Sequence, residues 1–171
     1  FEMDAKGFED LGGAGTLDMI QAMDQDQFLE LNGDLMAGMF DAMDESQMEA
    51  MGAEDVFNAA DRMDQNDFAV LDSGSAMSMF DTMGAYQAES LGGDKLAGLF
   101  DAMDSEQFRD IGGGQLFEAI GSMTGDNFAV MDSDSAFGMF DAMGSDMALD
   151  MGGDQLAGML GAMGGERIEH M

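Results

Sequence analysis

The sequence predicts an all-α protein, an α-solenoid (superhelix) of about eight 20-residue two-helix repeats. Three observations indicate this class: a Met that recurs every twentieth residue, two further apolar series in the same register, and a composition that favours helices over strands. The Met series comprises Met3, Met23, Met43, Met63, Met83, Met103, Met123, Met143 and Met163. Self-similarity at a fixed period of this length is the signature of repeat architectures.

The two further series strengthen the period because they fall at other positions of the unit. One series is Leu11, Leu31, Met51, Leu71, Leu91, Ile111, Met131, Met151 and Met171, and the other is Ile20, Phe40, Ala60, Phe80, Phe100, Ile120, Phe140 and Leu160. The predicted organisation is a single array over 1–171. It comprises a half unit 1–11 and the units 12–31, 32–51, 52–71, 72–91, 92–111, 112–131, 132–151 and 152–171.

The composition favours helices. Apolar residues make up 46% of the chain, and they include 22 Met and 13 Phe but few β-branched residues. Helices favour Ala, Leu, Met, Glu and Gln, whereas strands favour Val, Ile and Thr. Proline is absent and 25 Gly recur at regular places, which indicates turns between helices rather than a flexible linker.

The first predicted helix of each unit carries an apolar stripe. In the unit 92–111 the stripe has the spacing i, i+3, i+4, i+7 of one helix face, with Leu96, Leu99, Phe100 and Met103. Gly92 and Gly93 precede it as a turn. We expect Asp94 to cap the first turn.

The second predicted helix of the unit begins at an acidic cap. Asp104 with Gln107 three residues later has the pattern of a capping box, and Phe108 and Ile111 give this helix its buried side. The same pattern recurs in Asp24 with Gln27 and in Asp44 with Gln47. Each unit is therefore predicted to contain one helix of about ten residues and one of about eight. Helices this short are marginal alone, so the units must stack.

A longer period of 60 residues overlies the short one. Residues 52–111 align without gaps to 112–171 with 26 identities in 60 positions. Two explanations remain open together, a duplication of three units and a superhelix with about three units in each turn.

The charge restricts the partners. The formal net charge is −31, from 36 acidic residues against five basic ones. Nucleic acid is excluded as a partner because phosphate binding needs clustered Lys and Arg. Anionic membrane surfaces are disfavoured, and no apolar run reaches the ~20 residues of a membrane span. The expected partners are cations, basic proteins or other copies of the chain. The absence of Cys excludes disulfides and thiolate sites.

The pattern LFDAMDSEQFRDI at 99–111 resembles the superhelical repeats in the cytosolic N-terminal domain of bacterial magnesium channels, and is similar to helical repeats of the flagellar motor switch protein. The resemblance implies a right-handed helical superhelix. It also implies an acidic domain that responds to divalent cations. This chain departs from that family in using Gly, Asp and Ser at its turns, with no Pro.

Acidic pairs at the junctions between predicted helices are the candidate metal ligands. Carboxylates and carbonyl oxygens gathered at a turn suit Ca²⁺ or another divalent cation. The candidate residues are Asp24, Asp26, Asp64, Asp67, Asp132 and Asp134. None of them completes the twelve-residue calcium loop with its terminal Glu, and the alternative interpretation is that these Asp residues are helix N-caps.

Other conspicuous residues have simpler interpretations. Met pairs four residues apart can offer thioethers to Cu(I), but their positions are those of the core stripe; the pairs are Met39 with Met43 and Met79 with Met83. His170 is the only His, and no nucleophile can be paired with it from the sequence. Tyr86 replaces an apolar residue and marks a local contact surface.

These observations predict a non-catalytic structural repeat protein, a subunit of a larger self- or hetero-assembly such as a filament or surface structure. The sequence opens on half a unit and closes on a core position, so we expect a longer array or covered ends. The alternative is a soluble acidic, divalent-cation-responsive protein-binding module that holds a basic partner. An extracellular or cell-surface setting is favoured, with the cytoplasm of a salt-loving host as the alternative.

Overall fold

The computed structural model describes residues 5–24, 27–28 and 30–164, and within them it contains helices and no strand. The α-helices are α1 (Ala5–Ala22), α2 (Gly33–Asp41), α3 (Glu45–Met51), α4 (Ala53–Ala60), α5 (Gln65–Ala69), α6 (Ser73–Ser90), α7 (Gly93–Asp101), α8 (Ser105–Ile111), α9 (Gly113–Ala119), α10 (Gly125–Ala129), α11 (Ser133–Asp150) and α12 (Gly153–Met163). A 3₁₀-helix at Ile120–Ser122 follows α9. The predicted all-α class is confirmed.

The helices alternate in length as the repeat predicts. In the unit 92–111, α7 has nine residues and α8 has seven, close to the expected ten and eight. The residues before each helix are Gly92 and Asp104, and the next helix follows Gly112. The unit is thus a longer helix and a shorter one, each preceded by a single extended or left-handed residue.

The predicted capping boxes are present. The Gln107 N–H donates to Asp104 Oδ1 at 3.1 Å, and the Asp104 N–H donates to Gln107 Oε1 at 2.9 Å. Asp44 makes the same reciprocal pair with Gln47. Each box satisfies two backbone N–H groups that the first turn of a helix leaves without a partner.

The expectation that Asp94 caps α7 was wrong. Gly92 occupies the N-cap position, at φ 89° and ψ 155°, and has no side chain to accept a bond. Asp94 lies inside the first turn and accepts a hydrogen bond from Asn127 Nδ2 at 2.6 Å. Its carboxylate therefore joins two helices far apart in sequence, although it still favours the positive end of the α7 dipole.

Three long helices each consist of two short ones. Their backbones bend at Gly12 in α1, Gly84 in α6 and Gly144 in α11, where φ lies between 66° and 75°. Each of these Gly residues stands at a boundary between the two helices of a unit or between successive units. The 18-residue helices therefore preserve the period of the short ones.

The core is formed by the predicted apolar series. Within the described residues, the Met series from Met43 to Met163 is at most 5% exposed throughout. Phe100 and Phe108 are fully buried, and their rings meet edge to face with centroids 5.9 Å apart. Aromatic pairs in this arrangement add stability beyond the apolar area that they bury.

Burial declines toward both ends of the described chain. In the third series, the residues from Phe40 to Ile120 are buried, whereas Ile20, Phe140 and Leu160 are only half-buried. Leu11 of the second series is 45% exposed. The middle helices have neighbours on both sides, and the outer ones leave apolar surface accessible.

Helices in contact lie about thirty residues apart. Contacts join α5 to α7, α8 to α11 and α10 to α12. The Asp72 N–H donates to Asp41 Oδ1, a separation of 31 residues, and Gln107 Nε2 donates to the carbonyl oxygen of Ser73, a separation of 34. This spacing is one and a half units. The expectation of three units per turn is therefore wrong for these contacts, which come at about half that distance along the chain.

Two ion pairs link helices at the same spacing. Lys95 Nζ lies 2.8 Å from Asp61 Oδ1, and it also contacts the Asp61 carbonyl oxygen. Arg109 Nη2 lies 2.9 Å from Asp141 Oδ2. The pairs join residues 34 and 32 positions apart. Two of the five basic side chains in this acidic chain therefore connect neighbouring helices.

Candidate functional site

The first predicted acidic pair is a helix cap as far as the structure describes it. Asp24 Oδ1 accepts a hydrogen bond from the Gln27 N–H at 2.9 Å, and Gln27 Oε1 accepts one from the Asp24 N–H at 3.2 Å. Asp26 lies outside the described residues. Asp24 is exposed.

The second predicted pair caps α5. Asp64 Oδ1 accepts from the Asp67 N–H at 3.1 Å, and Asp67 Oδ2 accepts from the Asp64 N–H at 2.8 Å. Burial raises the pKa of Asp67; the hydrogen bond from the Asp64 N–H opposes this rise, and the charges of Asp64 and Asp34 add to it. The structure thus brings a third acid, Asp34, to the pair that the sequence predicted.

The third predicted pair begins α11. Asp132 Oδ1 accepts from the Asp134 N–H at 2.8 Å and from the Ser135 N–H at 2.7 Å. The Asp132 N–H in turn donates to Asp101 Oδ1 at 2.9 Å, across 31 residues. Both predicted residues are exposed, and they lie beside an acid from another unit.

Asp132 and Asp134 also line a surface depression of about 530 Å³. Asp104 contributes a third carboxylate to its wall, and Phe137 forms part of the apolar side. Burial raises the pKa of the adjacent Asp101 to about 6; the hydrogen bond from the Asp132 N–H opposes this rise, and the charge of Asp132 adds to it. This acidic depression is the candidate cation site, and a bound cation would compete there with a proton on Asp101.

The geometry limits what the acidic depression can hold. Over the residues that the structure describes, no three acidic or His side chains converge as a ready-made metal site. The capping oxygens of Asp64 and Asp132 already accept backbone hydrogen bonds. The depression suits a hydrated cation attracted by several charges more than an ion enclosed by protein ligands.

The Met pairs belong to the core. Met39 and Met79 are fully buried, and Met43 and Met83 are 4% and 5% exposed. These side chains pack between short helices, where a flexible thioether fills irregular gaps. The packing interpretation of the pairs is confirmed.

An exposed apolar surface lies on three neighbouring helical segments, the residues 85–90 of α6, the helix α9 and the residues 145–150 of α11. Its side chains are Tyr86, which is 73% exposed, Phe117 at 36%, Met147 at 36% and Leu149 at 74%. We call this surface the α6–α9–α11 face. The sequence singled out only Tyr86 among its residues.

The three segments lie side by side. Tyr86 lines a depression of about 450 Å³ together with Gln115 and Glu118 of α9. At the start of α9, a Cβ on Gly113 would lie 2.8 Å from the carbonyl oxygen of Ala142, just before the bend of α11. The contacts of α9 with α6 and with α11 follow from this arrangement.

The sequence contains a signal for the other members of the face. The seventh residue of the second helix is polar in most units, as Gln27, Gln47, Asp67, Gln107 and Asn127, but it is Met147 in one. Leu149 likewise stands where Arg109 stands in an earlier unit. An apolar residue at a position that is polar in the other units marks surface rather than core.

Comparison of the chain with protein-family models, with curated proteins and with solved structures found no match. Among the described helices, none combines the length and apolar character needed to span a membrane. The functional argument therefore rests on the contacts and surfaces of this chain alone.

Proposed function

We propose that the chain is an α-solenoid with three short helices in each turn, and that it acts as a non-catalytic structural subunit of a larger protein assembly. The observation that carries the proposal is the set of contacts about thirty residues apart, which recurs from α1 with α2 to α10 with α12. Contacts at one constant spacing are those of successive turns in a stack. In this arrangement the unit supplies two helices and the turn uses three.

The polar side chains support a structural role. Gln155 Nε2 donates to the Met123 carbonyl oxygen at 2.7 Å, and Asp154 Oδ2 accepts from the Gly125 N–H at 2.8 Å. With the ion pairs of Lys95 and Arg109, these bonds fasten one turn to the next. Side chains that would otherwise suggest chemistry are employed in capping helices and in joining turns.

Apolar surface near the first helices supports assembly. A groove of about 540 Å³ is lined by Leu17, Ile20, Met23, Phe28 and Met51, together with acidic residues. Exposed apolar surface of this extent marks interaction sites in soluble proteins. The similarity to magnesium-channel repeats, the response to Ca²⁺ and the extracellular setting remain predictions of the same proposal.

The proposal is tested by light scattering after size exclusion, with the protein in chelator and in millimolar Ca²⁺. We expect assemblies larger than one chain, which Ca²⁺ promotes because it reduces the repulsion between chains of charge −31. Ile20→Asp should weaken assembly, whereas Val70→Asp adds the same charge at a site that is 67% exposed and should not. A monomer under both conditions at all concentrations contradicts the proposal.

The second candidate function is the acidic protein-binding module. The α6–α9–α11 face favours it, because four large apolar side chains there are accessible in the isolated chain. A monomeric protein that binds a basic partner would support this candidate over the structural subunit.

A further inference from the structure

The α6–α9–α11 face has three features that together define what it fits: accessible apolar side chains, a uniform sign of charge and a measurable span. The remaining exposed large apolar side chains in the described chain are Leu11, Val70 and Val130, and none of them lies on these three segments. Tyr86 and Leu149 are about three-quarters exposed. Single exposed apolar residues are ordinary, whereas a group on adjacent helices indicates an interaction surface.

The charge on the face has one sign. Residues 85–90, 113–119 and 145–150 contain four acidic side chains, Glu89, Glu118, Asp146 and Asp150, and no Lys or Arg. Three of these acids are exposed and Glu89 is half-buried. The adjoining helix α4 adds acidic residues to its first turn. A partner that covers the apolar side chains is therefore surrounded by carboxylates, and positive charge on its flanks matches them.

The span of the face matches a short helix. Packed helices lie ~8–10 Å apart, so three parallel segments place Tyr86 and Leu149 roughly 16–20 Å apart across the face. A helix rises 1.5 Å per residue, so about 11–13 residues cross this distance. An amphipathic helix of this length presents its apolar residues at i, i+3, i+4 and i+7.

We propose that the α6–α9–α11 face binds a cationic amphipathic α-helix of another protein. The apolar side of that helix covers Tyr86, Phe117 and Leu149, and its Lys and Arg side chains lie against the surrounding carboxylates. A second copy of the chain is the less suitable occupant, since each copy brings a net charge of −31 and the same acidic rim. The inference does not require self-association, so it stands or falls separately from the structural-subunit proposal.

The test measures binding of a fluorescein-labelled 18-residue Leu–Lys peptide whose Leu residues follow the helical period. A second peptide has the same composition in an order with no apolar face. Anisotropy is measured at physiological salt, with protein at concentrations where light scattering finds a monomer, or with the smallest assembly if none is monomeric. We expect the amphipathic peptide to bind at least tenfold more tightly than its rearranged control, because only the first can place Leu against the apolar side chains.

Matched variants locate the binding site. Tyr86→Ser with Leu149→Ser removes the two most exposed apolar side chains of the face, and we expect a tenfold or greater loss of affinity. Val70→Ser with Val130→Ser removes two comparably exposed side chains, at 67% and 59%, and should change affinity less than twofold. All four positions are exposed, and thermal melts of each variant establish that it remains folded.

Two results would overturn the inference. Equal binding of the two peptides means that the attraction is purely electrostatic and that the apolar face takes no part. Equal losses in the two double variants mean that the site lies elsewhere. If the wild type dimerises and Tyr86→Ser with Leu149→Ser alone makes it monomeric, the occupant is a second copy and the proposed partner is wrong.

Discussion

Gly112 tests whether the left-handed junctions are a requirement of the fold. Gly112 has φ 81° and ψ 147°, and Gly152, at the equivalent junction two units later, has φ −61° and ψ 146°. Both precede a helix, and neither Gly has a crowding neighbour that a new Cβ would strike. Replacement of each by Asp adds the same charge and the same side chain, so the backbone conformation is the difference that remains.

The expected magnitudes follow from the two conformations. A non-Gly residue at positive φ and extended ψ costs on the order of 1–3 kcal/mol. At Gly152 the backbone is ordinary, and Asp is a better N-cap than Gly by a few tenths of a kcal/mol. We therefore expect Gly112→Asp to lower the free energy of unfolding by about 1–3 kcal/mol and Gly152→Asp to leave it unchanged or slightly higher. In a chain of this length, each kcal/mol corresponds to roughly 2–4 °C in Tm.

The assay is urea denaturation followed by circular dichroism at 222 nm, with hydrogen exchange to find which helices lose protection. Stacked repeats unfold in parts, so protection at each helix is needed beside the overall midpoint. Gly52→Asp, at φ 93°, repeats the strained case at another junction. If Gly112→Asp and Gly152→Asp shift the midpoint equally, the positive φ does not constrain the sequence and the argument is refuted.

Two further predictions concern links between helices. Because burial raises the pKa of Asp101 to about 6 in the folded chain, the protonated form is favoured there, so lowering the pH from 7 toward 4 should raise Tm; Asp101→Asn, which keeps an acceptor for the Asp132 N–H, should reduce that rise in a melting series across this pH range. Gln107→Glu keeps the capping box but loses the Nε2 donor to the Ser73 carbonyl, so it should cost ~1 kcal/mol in urea denaturation, and Gln107→Ala, which loses both, should cost more. An identical pH profile in Asp101→Asn, or equal stability of wild type and Gln107→Glu, contradicts the corresponding reasoning.

The sequence predicted the local structure well because local structure depends on neighbours along the chain. The stripe of Leu96, Leu99 and Phe100 specifies one helix face, and the pair Asp104 and Gln107 specifies where the next helix begins. Both signals lie within a few residues. Burial of the Met series follows from the same periodicity, since a helix must turn its apolar side to the core.

Contacts between turns could not be predicted from these signals. Asp94 looked like a cap, but it bonds Asn127 because the chain returns to the same side after three helices. That return depends on the angles at every junction, and Gly in a left-handed conformation is not distinguishable by sequence from Gly152 in an ordinary one. The exposure of Phe117 and Leu149 has the same origin, because a helix in a stack has several apolar neighbours and the stacking decides which of its sides stays open.

The spacing of the contacts also explains how such a chain can grow. A unit contains two helices, but neighbours in space are three helices apart, so the two counts coincide only after six helices, which is 60 residues. Insertion of a single unit would move every following helix onto a different side of the stack, next to unfamiliar neighbours. Copying of three units restores every neighbour, and the 26 identities between 52–111 and 112–171 have this length. Gene duplication in this lineage thus had a natural step size, set by geometry rather than by the repeat itself.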